Sequence, residues 1–180
     1  KVAAAKAMRV SIPPDIDLKP GTPLNFPETV VQVTNETTLG AARRLSQSSA
    51  RPRALNFAHG IEPGGGFLRG ARAQEEVLCR SSALYVTLQG DPMYEAHRDR
   101  DLADSSAWAI VSPDVPVFRT DGGTAVDSPW TLSFITCAAP YAPDVGQPES
   151  GDLLRERIYR VLDIAQSVGY TSLVLGAWGC

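Results

Sequence analysis

Three consecutive glycines, Gly64-Gly65-Gly66, lie between a short apolar run, Arg53-Ala54-Leu55-Asn56-Phe57-Ala58, and a stretch that opens Gln74-Glu75-Glu76 with helical spacing behind it. This juxtaposition constrains the chain more than any other feature. A strand that runs into a glycine loop and then a helix is the unit with which α/β folds bind ligands at the carboxyl ends of their strands. Without Cβ atoms the triplet's backbone can press against a ligand and aim its N–H groups at it. The glycines alone fit a flexible connector equally well. They do not fit the familiar nucleotide loops. Arg69 stands where the third glycine of GxGxxG belongs, and no Gly-Lys-Ser/Thr follows.

Apolar bursts and helical stretches alternate around this unit. Val30-Val31-Gln32-Val33 is predicted as a strand, followed by a helix capped by Thr37 or Thr38 and running through Leu39, Ala41, Ala42 and Leu45. Val77, Leu78, Leu84 and Leu88 predict one helix from Gln74 to about Gln89, and 91–106 reads as a polar loop with a little helix. Trp108–Val111 and Val115–Arg119 read as short strands interrupted by Pro113 and Pro116, which suits a sheet edge or an insertion. Trp130–Ala138 is a better strand, and 141–151 a loop. Asp152 is the expected cap of a helix over Leu153–Val168, with Leu154, Ile158, Val161, Leu162 and Ala165 on one face. Ser172–Leu175 closes the series as a buried strand. The pattern predicts one α/β layered domain with a parallel or mixed sheet, and 180 residues suffice for its core.

Composition narrows the function. A net charge of −3 argues against direct nucleic-acid binding, which normally needs a basic excess. No apolar run has the length of a membrane span. Three cysteines without CxxC spacing argue against a disulfide framework and for a reduced, cytoplasmic setting. With two histidines a His-rich zinc site is excluded, and His97 with Asp91, Glu95, Asp99 and Asp101 reads better as a solvated run than as a mixed metal site. No GxSxG elbow occurs. Glu75 and Glu76 project about 100° apart on a helix, so they cannot face one another as a carboxylate dyad. One can do chemistry while the other orients it. A helix N-terminus favours the carboxylate form, the reverse of what a general acid needs, so burial or the neighbouring charge must oppose the dipole.

Asn56-Phe57-Ala58-His59, the glycine triplet, a seven-residue spacer and Gln74-Glu75-Glu76 together resemble the bacterial-type poly(ADP-ribose) glycohydrolase family. The resemblance implies a macrodomain, a three-layer α/β/α sandwich with a mixed sheet, binding ADP-ribose with no metal and no cofactor. It implies Glu76 as the catalytic acid/base and Glu75 as the neighbour that holds the ribose or orients Glu76. Gly64, Gly65 and Gly66 would approach the ligand through their backbone, with Asn56, His59, Phe67 and Gln74 beside them and Glu36 near the adenine. Gly176, Trp178, Gly179 and Cys180 look like the start of the family's second, diphosphate-wrapping loop. The implied reaction is hydrolysis of ribose–ribose O-glycosidic bonds, with poly(ADP-ribose) or ADP-ribosylated proteins as substrate, ADP-ribose as product and a monomer as the working form. The alternatives are a non-catalytic ADP-ribose reader and a mono-ADP-ribosyl-protein hydrolase; the intact Gln-Glu-Glu favours the polymer-cleaving enzyme. Because the chain starts at Lys1 rather than Met and stops at Cys180 after an apolar run, the expectation is one catalytic domain over 1–180 that continues past both ends and is interrupted inside the diphosphate loop.

Overall fold

The computed structural model describes residues 1–19, 28–48 and 50–179. In chain order the elements are α1 (Val2–Ala7), β1 (Val10–Ile12), α2 (Thr38–Gln47), β2 (Arg53–Ala58), α3 (Gln74–Ser81), α4 (Leu84–Leu88), α5 (Pro92–Arg98), β3 (Ala109–Arg119), β4 (Ala125–Ala138), α6 (Ala142–Val145), α7 (Glu149–Ser167) and β5 (Leu173–Val174). The strands form one mixed sheet in the order β1-β3-β4-β2-β5. β2 runs parallel to both β4 and β5, whereas β3 is antiparallel to β1 and β4.

Successive strand residues point to opposite faces, and the two faces are covered by different helices. Ala54, Ile110 and Phe134 pack with Leu39 and Ala42 of α2, Leu78 of α3, Leu84 of α4 and Met93 of α5. Their neighbours Leu55, Val111 and Ile135 pack with Val161, Ile164 and Ala165 of α7. The result is the expected three-layer α/β/α sandwich. No described helix is long and apolar enough to cross a membrane.

Several local expectations change. Val30, Val31 and Val33 belong to no strand among the described residues, and Val33 is 97% exposed. Their β-branched composition favours a strand only where a sheet edge is there to receive it. β3 is one continuous strand instead of two fragments, and β1 flanks only its Ala109–Val111 part, so Pro113 and Pro116 lie beyond β1 on the open side of the strand, as their residue type suggests. A register shift between Ser112 and Val115 absorbs Pro113, and Asp114, at φ 48°, donates its N–H to Ser133 Oγ at 3.0 Å. The helix expected over 74–89 breaks after Ser81, where Ser82 bridges Val117 and its hydroxyl accepts from the Leu84 N–H. The polar stretch after Gly90 contains α5, capped by Asp91 through the Met93 N–H, and buries Met93, Tyr94 and His97. The expected loop over 141–151 holds α6, and α7 begins at Glu149, so Asp152 lies in its first turn instead of capping it. Its buried stripe is Ser150, Arg157, Val161, Ile164 and Ala165, while Ile158 and Leu162 are exposed. Nothing in the periodicity had marked α1 and β1.

Candidate active site

The carboxyl end of β2, the glycine loop and the first turn of α3 converge. β5 extends along β2 only as far as Ala54. Beyond it the Gln74 side chain takes the strand's free groups: Oε1 accepts from the Phe57 N–H at 2.9 Å and Nε2 donates to the Leu55 carbonyl at 2.8 Å. Nε2 also reaches Thr38 Oγ1 at 3.2 Å. Gln74 therefore seats the start of α3 on β2, and its amide is occupied by protein groups.

That seat delivers Glu75 into the interior, where it is 3% exposed. Oε1 accepts from Asn56 Nδ2 at 3.1 Å and Oε2 from the His59 N–H at 2.7 Å, with the Gly64 backbone also donating. Asn56 is fully buried and is braced by Thr136 Oγ1, 3.3 Å away on the paired residue of β4. Burial pushes the Glu75 carboxyl up from its ordinary 4.5 to about 7, against the hydrogen bonds from His59 and Asn56, and the nearby Glu76 charge adds to the rise.

This shift has a consequence for stability. Between pH 4.5 and 7 the folded chain holds a proton on Glu75 that the unfolded chain has released, so this residue makes unfolding easier as pH rises through that window. The cost is absent below pH 4.5, where both states are protonated, and reaches about 3 kcal/mol above pH 7. The difference in unfolding free energy between wild type and Glu75→Gln is expected to change by about that amount from pH 4.5 to 8 in urea titrations. A pH-independent difference would contradict the burial of an ionisable Glu75.

Glu76 is differently placed. It is 8% exposed, its Oε1 accepts from the Gly66 N–H at 3.0 Å, and its Oε2 is buried with no hydrogen-bond partner among the described residues. The triplet wraps this carboxylate closely. A Cβ on Gly65 (φ +55°) would lie 2.3 Å from Glu76 Oε1 and 3.3 Å from Glu75 Oε2. A Cβ on Gly64 (φ +72°) would strike Tyr85, Phe67 and Cys79, each at 3.0–3.2 Å. Both glycines are thus required by conformation and by space. Phe67 meets Tyr85 edge-on at 4.7 Å between ring centroids, and Arg80 holds the far side of the loop through the Ala71 carbonyl at 2.7 Å.

Of the remaining residues singled out in the sequence, the 176–179 segment comes close to β2: a Cβ on Gly176 would lie 2.9 Å from the Phe57 ring, and Trp178 packs against the same buried cluster as Phe57. Gly179 takes φ +87° against Leu154. Cys180 lies outside the described residues. Glu36 is exposed and paired with Arg44 at 2.6 Å; that partner holds its carboxyl below the usual range. His97 is buried, with its ring bonded to the Gly60 carbonyl and to Ser106. Thr136 and Tyr85 join the site without any signal in the sequence, since Thr136 is 80 residues from the Asn56 it supports.

A family model described as the catalytic domain of microbial-type PARG, poly(ADP-ribose) glycohydrolase, matches residues 1–120. A search of curated proteins finds no match. Among solved structures, the Thermomonospora curvata poly(ADP-ribose) glycohydrolase bound to the inhibitor ADP-HPD is 39% identical, with a TM-score of 0.88 over 99% of this chain and 68% of that one. The Deinococcus radiodurans poly(ADP-ribose) glycohydrolase in complex with ADP-ribose is 41% identical, with a TM-score of 0.88 over 99% of this chain and 76% of that one. With two thirds of its length under the family model and a fold shared with these enzymes along nearly all of it, the chain belongs to the microbial-type poly(ADP-ribose) glycohydrolase family.

Proposed function

We propose that this chain is a glycosidase that hydrolyses the ribose–ribose O-glycosidic bonds of poly(ADP-ribose) and releases ADP-ribose, with Glu76 as general acid and base. The observation that carries this reading is the unequal environment of the two carboxylates. Glu75 has protein donors on both oxygens, whereas Glu76 keeps Oε2 without a partner beside the glycine loop. Glu76 is therefore the carboxyl with unused hydrogen-bonding capacity, which a substrate takes up when it displaces the surrounding loop. In its acid form it protonates the leaving 2′ oxygen as the C–O bond breaks and the ribose becomes oxocarbenium-like; the resulting carboxylate then takes a proton from the water that attacks the anomeric carbon. The ADP-ribose and inhibitor complexes of the two relatives support ADP-ribose as the ligand here.

On this reading Gly64, Gly65 and Gly66 meet the substrate through their backbone, and the segment at Gly176–Gly179 borders the diphosphate. Residues 1–180 belong to a single catalytic domain that works as a monomer in the cytoplasm, where the buried free thiols of Cys79 and Cys137 suit a reducing medium. The test is product analysis on defined poly(ADP-ribose). Free ADP-ribose accumulating in proportion to enzyme is the expected result. ADP-ribose binding without release would make the chain a reader instead.

A further inference from the structure

The glycine loop is held from behind by a histidine that has no place in the proposed chemistry. His97, on α5, is 3% exposed. Its Nδ1 lies 2.9 Å from the Gly60 carbonyl oxygen, a group that can only accept, so the ring proton is on Nδ1. Its Nε2 accepts from the Ser106 N–H at 3.1 Å and lies 2.7 Å from Ser106 Oγ. The next residue, Arg98, donates from Nη1 to the Ile61 carbonyl at 2.8 Å. α5 thus grips two successive carbonyls immediately after His59, whose N–H is the 2.7 Å donor to Glu75.

The other side of this backbone is equally confined. A Cβ on Gly60 would lie 2.4 Å from Ser105 Oγ, and Ser105 itself is buried at φ 57°. The buried Arg157 of α7 donates to the Ser106 carbonyl at 3.1 Å and fixes the far end of the chain of contacts. We propose that His97 is a positioning residue for the carboxylate pair: by donating to the Gly60 carbonyl it holds the backbone that presents the His59 N–H to Glu75, while Ser106 sets the ring's orientation. The neutral ring is what this arrangement requires. Burial keeps the imidazole below its ordinary range, and Arg100 and Arg157 push in the same direction against Asp104.

The inference rests on the hydrolase reading for its effect on turnover, but its structural core can be tested without substrate. His97→Asn places an amide nitrogen near the Nδ1 position and can keep the donor to Gly60. His97→Gln places a carbonyl oxygen near the Nε2 position and keeps only the acceptor for Ser106. Amide exchange of His59 is read by NMR in the full chain, together with thermal stability and, separately, kcat and KM. The expected result is exchange about tenfold faster in His97→Gln, with kcat lower by a similar factor and KM little changed, and wild-type exchange within about threefold in His97→Asn. His97→Gln loses the bond to Gly60 and His97→Asn the two contacts to Ser106, so a purely structural role would perturb His97→Asn at least as much, and equal exchange in the two would overturn the proposal. If His97→Gln fails to fold, His97→Asn decides alone: wild-type exchange supports the proposal and a tenfold acceleration overturns it. A wild type that releases no ADP-ribose would remove the hydrolase reading and leave the exchange comparison intact.

Discussion

Glu76→Gln is expected to lower the rate of ADP-ribose release from poly(ADP-ribose) by about 10²–10⁴-fold while changing ADP-ribose affinity by less than about threefold. The amide is nearly isosteric. Its oxygen can still accept from the Gly66 N–H, now 3.0 Å from Glu76 Oε1, so the loop stays in place. What disappears is the carboxyl group that can give up a proton and take one back. Glu75→Gln is expected to act otherwise, because both Glu75 oxygens accept from protein donors, Asn56 Nδ2 and the His59 N–H. An amide nitrogen must then face one of these donors, which costs about 1–3 kcal/mol as a buried unsatisfied group. That variant should lose activity through misplacement of the loop, with binding weakened as well. Chromatographic product analysis paired with ADP-ribose calorimetry separates the two patterns. Near-normal turnover by Glu76→Gln would show that the acid/base lies elsewhere.

The second large effect is expected at a residue with no side chain. Gly65→Ala adds a Cβ that would sit 2.3 Å from Glu76 Oε1, so the carboxylate and the methyl group cannot both keep their positions. The backbone there, at φ +55°, costs a further 1–2 kcal/mol or so for a residue with a Cβ. A displacement of about 1 Å at a catalytic carboxylate is enough for a loss of about 10²-fold in kcat, so Gly65→Ala is expected to approach Glu76→Gln in severity while also lowering the melting temperature. Gly70→Ala provides the control. It carries the same kind of strain, φ +89°, but meets nothing within 4 Å. Its melting temperature should fall by a comparable amount with kcat kept within about twofold. Equal losses of activity in the two variants would mean that strain, rather than contact with Glu76, explains the triplet.

Much of this site was legible in order along the chain. The strand at Arg53–Ala58, the capped helix after Thr37 and the carboxylates at the start of α3 are local features, and propensity, capping chemistry and hydrophobic spacing act over a few residues. Where a neighbour far away in sequence intervened, the local reading failed. Val30-Val31-Gln32-Val33 has the composition of a strand and stands exposed because no described strand borders it. Pro113 and Pro116 suggested two separate strands, yet a register shift joins them into one β3 along β4, with both prolines beyond the reach of β1. On α7 the apolar residues Ile158 and Leu162 face out while Arg157 is buried to reach the Ser106 carbonyl, an inversion that periodicity alone cannot express.

The amino-acid order by itself determined the family pattern, the layered α/β class and the residues Gly64–Gly66 and Gln74–Glu76 that meet at the carboxyl end of β2. Only the family resemblance told the two glutamates apart; no local physical rule did. Their chemical types are identical and they are adjacent, so the difference is one of surroundings: Asn56, Thr136 and the His59 N–H close around Glu75, while Glu76 Oε2 is left without a partner. Burial, low local polarity and hydrogen bonds supplied from distant strands act through space, and only the packed tertiary structure brings them to bear on one carboxylate and withholds them from the next.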